Sequence, residues 1–289
     1  MAAAGEEGLA IETQSEVIGA RAGSFFMRPV EVVAAILLVV IVGLLLAGVF
    51  TRYVLHMPVV WIDEAASISF LWLAMLGSAI AVDRNEHLRL TVFLNLFPLR
   101  WRGLIETLAT MIAITALATL LLPAVEYVRE ESYVTSAALK IPVSYRVSAI
   151  VVGIVLMLVV ALGHLARTAA KQEIATAAAI IAALGLACWL LSPLFLGFGY
   201  LNILIFLVGV AALCLVLGVP IAFCFAMGTI GFLAFTTHVP MIVMIGRMDE
   251  GMSSLILLSV PIFVLLGCIL DATGMGKAIV DFMASLLGH

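Results

Sequence analysis

The residues able to do chemistry in this sequence are few and widely spaced. Histidines stand at 56, 87, 164, 238 and 289, and cysteines at 188, 214, 224 and 268. Metal sites need such residues at short fixed offsets, C-x2-C for example, and that spacing does not occur. The cysteines all lie inside apolar runs, so they read as small buried hydrophobes rather than ligands or disulfide partners. Adjacent carboxylates at Asp63-Glu64 and Glu130-Glu131 read as solvated charge, since no nucleophile–base set or metal-spaced cluster appears with them. A phosphate-cradling P-loop is also missing, so direct coupling to ATP by this chain has no support. No catalytic residue or metal ligand is assigned. Ser253, Ser254 and Pro261 remain as candidates to line an ion or substrate path, although serines at such places also serve as helix caps.

What must position these residues is a chain suited to hydrocarbon. Of 289 residues, 65% are hydrophobic and 11% charged, against roughly 25% charged in soluble domains. Mean hydropathy is +1.27. The fold class is therefore all-α, a polytopic helical membrane protein. The net charge of -4 says little about partners, because Glu6, Glu7, Glu12 and Glu16 crowd the N-terminal tail. Without a basic face, nucleic acid is not an expected partner; the lipid bilayer is.

Apolar runs of spanning length, about 20 residues, give about eight transmembrane helices. They cover residues 30–50, 65–82, 107–125, 147–163, 174–191, 201–217, 221–235 and 252–270. The first exceeds the core of a signal peptide and reads as an uncleaved span. Residues 1–28 form an acidic tail, 88–102 an interfacial segment, 126–146 a polar loop and 241–251 an interfacial patch. Pro261 falls in mid-run and removes the hydrogen bond to the Leu257 carbonyl. A kinked full crossing is favoured there over a re-entrant hairpin, because the run is long enough to span. Lys277, Asp281 and Ser285 recur every four residues, opposite Ile279, Phe282, Met283 and Leu286, which makes a last amphipathic helix.

Charged and aromatic collars flank the second span. Arg52, Tyr53, Trp61, Asp63 and Glu64 precede it, and Asp83, Arg84, Glu86, His87 and Arg89 follow. Together with Pro58, Trp72 and Gly77, the order Arg52-Tyr53, Trp61, Glu64, Trp72, Glu86-His87 resembles the small membrane subunit of the tripartite ATP-independent periplasmic (TRAP) transporters. One departure is Asp83-Arg84, where that family more often has two basic residues. Further on, LGVPIAFCFAMGTIGFL (217–233), SVPIFVLLGCILDATG (259–274) and KAIVDFMASLLGH (277–289) resemble the start of the family's large, translocating subunit.

The resemblance implies four parts: a cytoplasmic tail (1–28), a four-helix small-subunit domain (29–171), a linker helix and loop (172–200), and a truncated start of the large subunit (201–289). It implies import of a dicarboxylate- or sialic-acid-like organic acid, delivered by a periplasmic binding protein and driven by a sodium gradient. This chain would supply scaffold and first large-subunit helices, with Arg52, Tyr53, Trp61, Glu64, Trp72 and His87 holding it in depth and against its neighbour. The remainder of the large subunit would be a partner, sodium the coupling ion of the complete transporter, and no cofactor would be bound by this chain. It would not be an enzyme, and its place would be the bacterial inner membrane.

The alternative is a membrane-anchored haem subunit, or another non-transport scaffold. Haem needs histidines on facing helices at bilayer depth. His56, His87, His238 and His289 instead fall in loops or at the end, and His164 closes a helix.

Orientation follows from Lys and Arg. With the N-terminus inside, nine cations lie on the cytoplasmic side (Arg21, Arg28, Arg84, Arg89, Arg100, Arg102, Arg167, Lys171, Lys277) and five outside (Arg52, Arg129, Lys140, Arg146, Arg247). Alkaline phosphatase fused after Ala138 should therefore be active in cells and phosphatase fused after Lys171 inactive; the reverse pattern would invert the topology.

Overall fold

A computed structural model describes residues 27–84 and 98–287. Most of the expected tail, Glu86 and His87, Arg89 and most of the 88–102 segment, and His289 lie outside the described residues. Within them the structure is helical, apart from one isolated β-bridge between Thr135 and Pro142.

Five helices are long and apolar enough to cross a bilayer: α1 (Arg28–Tyr53), α2 (Val60–Asp83), α3 (Leu99–Glu131), α4 (Ser144–Thr168) and α5 (Lys171–Phe198). Two shorter apolar helices follow, α6 (Leu201–Val216) and α7 (Ile221–Thr236). The expected interfacial patch is a helix, α8 (Ile242–Met252), and the eighth run forms α9 (Leu255–Leu258) and α10 (Val260–Ala272), with a bend of 51° between α8 and the helices after it. The amphipathic segment is α11 (Met275–Leu287).

Two helix boundaries and the burial of the cysteines differ from the sequence reading. Helix α3 runs 33 residues, about 50 Å at 1.5 Å per residue, so the polar loop shrinks to residues 132–143. Its last turns are built from good helix formers, and Pro123 is accommodated within the helix. Pro261 does not kink the middle of a span. It occupies the first turn of α10, where its missing N–H and fixed φ fit a helix start, and the break lies just before it. Of the four cysteines expected to be buried, Cys214 and Cys224 are buried and Cys188 is half-buried, whereas Cys268 is exposed on α10 among Phe263, Val264 and Ile269.

The first hairpin is clamped at both ends. Arg84 Nη2 meets Glu31 Oε1 at 2.6 Å at one end, and Arg52 meets Asp63 at 3.0 Å at the other. Glu31 thus has an ionic partner in addition to the helix N-terminus that favours an anion. Helix α2 packs against α1 and α4; α3 packs against α4 and α5, and also touches α7 and α8. One core cluster joins these helices: Leu71 and Met75 of α2, Ile112 and Leu117 of α3, Ile150 and Ile154 of α4, Phe223 of α7 and Ile245 of α8. Buried positions on α3 recur at three- and four-residue spacing with Ala109, Ala113, Ala116 and Ala124 among them. Small side chains let helix backbones approach closely where lipid offers no hydrophobic drive.

The closest such approach involves α6. Its middle, Leu204–Val210, is a π-helical turn whose Phe206 is buried against Phe195 and Phe235. A Cβ added at Gly228 of α7 would stand 2.7 Å from the Phe206 carbonyl oxygen. Gly77, by contrast, has nothing within 4 Å of such a Cβ. Gly228→Ala should therefore lower stability in detergent by roughly 1–3 kcal/mol. Gly77→Ala should leave it unchanged or raise it by up to ~1 kcal/mol. Thermal unfolding followed by circular dichroism separates the two.

Candidate functional site

The polar side chains of interest gather at the end of the bundle where α3 hands over to α4. Residues 132–143 form a tight hairpin there. Ser136 N–H donates to Ile141 O and Val143 N–H to Val134 O, and Lys140 turns the tip with φ +58. Helix α2 holds this hairpin from the side. Glu64 Oε2 accepts the Ala138 N–H at 2.7 Å and the Leu139 N–H at 3.3 Å. Two turns along the same face, Trp72 Nε1 donates to the Tyr145 carbonyl at 3.1 Å. The spacing 64, 68, 72 on a helix is what lines these contacts up.

Beside the hairpin is a cavity of about 360 Å³ lined by Glu64, Ser67, Glu131, Ser136 and Arg146. Within it Glu64 Oε1 and Arg146 Nε are buried without a hydrogen-bond partner among the described residues. The other end of the Arg146 guanidinium is engaged. Nη2 donates to Asp249 Oδ2 at 2.6 Å, and the Asp249 side chain is only 5% exposed. Tyr127 of α3 donates its hydroxyl to the same oxygen at 3.2 Å, and Ser253 Oγ donates to Oδ1 at 3.2 Å. A charge held this deep needs such partners, because unpaired it would lose several kcal/mol of hydration. Met244, Met248 and Met252 of the same segment pack against the apolar core.

The sequence-derived residues divide accordingly. Glu64 holds the hairpin and Trp72 the first turn of α4. Arg52 pairs with Asp63, but both are half exposed, so the bond contributes little. Tyr53 and Trp61 project from the same end of the first hairpin and are exposed, as interface anchors are. His87 lies outside the described residues. Ser253 bonds Asp249, whereas Ser254 precedes α9 without a side-chain cap and Pro261 starts α10. His56 and His238 lie in loops at the hairpin end and His164 near the far end of α4, so the helix spans separate them. Among the described residues no group of His, Cys, Asp and Glu could hold a metal ion.

Tyr127, Arg146 and Asp249 were missed as a set. A signal existed for Asp249: Ile245, Asp249 and Met252 share one helical face, which puts the acid on the side of the apolar residues. Tyr127 and Arg146 sit more than 100 residues away from it in sequence, and no local pattern reports them.

Comparison with known proteins gives two family models in tandem. The DctQ component of tripartite ATP-independent periplasmic transporters matches residues 24–171, and the DctM component matches residues 208–289. The sialic acid TRAP transporter permease protein SiaT of Haemophilus influenzae (strain 86-028NP) is 24% identical over 269 residues, which is 88% of this chain and 43% of that protein. The isethionate TRAP transporter permease protein DctMQ of Oleidesulfovibrio alaskensis (strain ATCC BAA-1058 / DSM 17464 / G20) is 25% identical over 233 residues, 79% of this chain and 36% of that protein. The sialic acid TRAP transporter small permease protein SiaQ of Vibrio cholerae serotype O1 (strain ATCC 39315 / El Tor Inaba N16961) is 29% identical over 68 residues, 24% of this chain and 39% of that protein. The chain spans less than half the length of these relatives.

Removing the Glu64 carboxylate should loosen the hairpin. Glu64→Ala is expected to cost about 1–3 kcal/mol and to speed hydrogen exchange at the Ala138 and Leu139 amides. Glu64→Gln keeps an acceptor and should be milder. Exchange followed by mass spectrometry reads both, and unchanged rates in the alanine variant would remove Glu64 from this role.

Proposed function

The chain belongs to the TRAP transporter permeases, with small- and large-component matches in tandem, and from that premise we propose that it is the scaffold part of a secondary importer of small organic acids. The substrate class is a carboxylate or sulfonate of the kind named for the relatives, sialic acid or isethionate. A periplasmic binding protein delivers it, and a sodium gradient drives uptake through the rest of the large component. The N-terminus faces the cytoplasm, which puts the 132–143 hairpin and the Arg146–Asp249 pair on the periplasmic side of the inner membrane.

The observation that carries this reading is the seating of one component on the other. Helices α3 and α4, within the DctQ match, contribute Tyr127 and Arg146, and α8, within the DctM match, contributes Asp249. A scaffold that must stay still while a neighbouring unit moves is served by a joint of this kind. It combines a buried ion pair with a backbone-anchored hairpin. The apolar outer surfaces of α10 and α11 are largely exposed, as suits helices that meet lipid or further membrane segments.

The test is uptake by proteoliposomes containing this chain in its natural full-length context together with its binding protein. Labelled sialic acid or isethionate should accumulate only with the binding protein present and an inward sodium gradient imposed. Accumulation without the binding protein, or indifference to the gradient, would overturn the corresponding part of the proposal. Absence of uptake of every organic acid tried would overturn the whole.

A further inference from the structure

Breaking the continuity of the chain poses a separate question: what makes the second portion dock in one register on the first? The covalent tether through α5 brings them together but does not set their alignment. Helix α5 is itself weakly buried, with 6% of its apolar window covered. Apolar contacts between α3 and α7 add area, yet in a bilayer they replace contacts with equally apolar lipid tails and discriminate little between registers. The methionines around α8 are adaptable and discriminate less still.

Asp249 is different. Arg52–Asp63 and Arg84–Glu31 stay within the first hairpin, and Arg247–Glu250 stays within α8. Arg146–Asp249 crosses from the four-helix portion to the later one and is the most buried of these pairs. Its carboxylate meets three donors from three directions: the guanidinium of α4, the Tyr127 hydroxyl of α3 and the Ser253 hydroxyl one turn further along α8. A shift of α8 by one residue would carry the acid off this face by about 100°, and a translation by one turn would leave Arg146 and Asp249 both buried and unpaired. A misaligned or wrongly charged partner is therefore rejected, not merely held less tightly.

We propose that the Arg146–Asp249 pair, with Tyr127, is the recognition element by which the four-helix portion selects and seats the large-component portion, independently of the covalent link. The partner it fits is a membrane-associated helix carrying an acid on its packed face and a hydroxyl four residues later. The proposal rests on the two-component reading of the chain but not on substrate, sodium coupling or binding protein.

The experiment inserts a specific protease site between Gly199 and Tyr200 of the full chain, in the exposed α5–α6 connection, and cleaves the purified protein in detergent. In the parent, the C-terminal fragment should remain bound to an affinity tag on the N-terminal one. Arg146→Asp alone and Asp249→Arg alone should each reduce its retention at least ~tenfold, in line with the cost of an unpaired buried charge. The double exchange should recover most of the retention. Tyr127→Phe should give a smaller loss. Equal retention in parent and single variants overturns the proposal. Circular dichroism before cleavage checks folding. Where a single variant loses helix content, the double exchange decides: recovered helicity and retention support the proposal, and failure to recover either overturns it.

Discussion

Asp249 carries a carboxylate where almost no water reaches it, and its surroundings are arranged around that fact. A guanidinium, a phenol and a serine hydroxyl converge on its two oxygens, so helices from three places in the sequence must arrive together. The requirement is mutual. Arg146, itself three-quarters covered, would be stranded without the acid. Buried ion pairs are weak evidence for stability, since well-packed apolar residues often do as well, but they do discriminate between registers. In a membrane, where apolar packing is nearly indifferent to register, that property matters more than in water.

Helix α3 is the mast on which this arrangement depends. It is longer than a bilayer core requires, so Tyr127 and Glu131 stand beyond the apolar middle, next to the hairpin and its cavity. Its alanine-rich faces admit α4 on one side and α5 and α7 on others. The hairpin held by Glu64, together with the bond from Trp72 to the first turn of α4, then fixes where α4 begins and hence where Arg146 points. A chain of contacts thus runs from α2 through the hairpin to α4 and on to α8. Each link is a directional hydrogen bond or ion pair, which resists sliding of one helix past another.

Much of this was legible beforehand. The spans are apolar stretches bounded by charge, and a bilayer leaves backbone polar groups no partner except those within a helix. Residues around Trp61, Glu64 and Trp72 stood out because a collar of polar and aromatic groups flanks one span; Glu64 does hold the hairpin, and Trp72 the start of α4. Less legible was where helices end. The polar stretch after Val125 looked like loop, yet good helix formers carry α3 six residues further. Pro261 looked like a mid-span kink, but the helix restarts just before it, so the proline meets no hydrogen bond to break. Cys268 looked buried because its neighbours are apolar, although apolar surroundings in a membrane protein also mark the face turned outward.

The sequence by itself determined the class of protein, the number of apolar runs and the family, because hydropathy and short-range spacing act locally and leave a readable period. It did not determine the joint. Tyr127, Arg146 and Asp249 are ordinary interface charges and aromatics when each is read in its own segment. Only the packing of α3, α4 and α8 makes them one site, since a buried carboxylate finds its partners across distances in sequence that no local pattern spans.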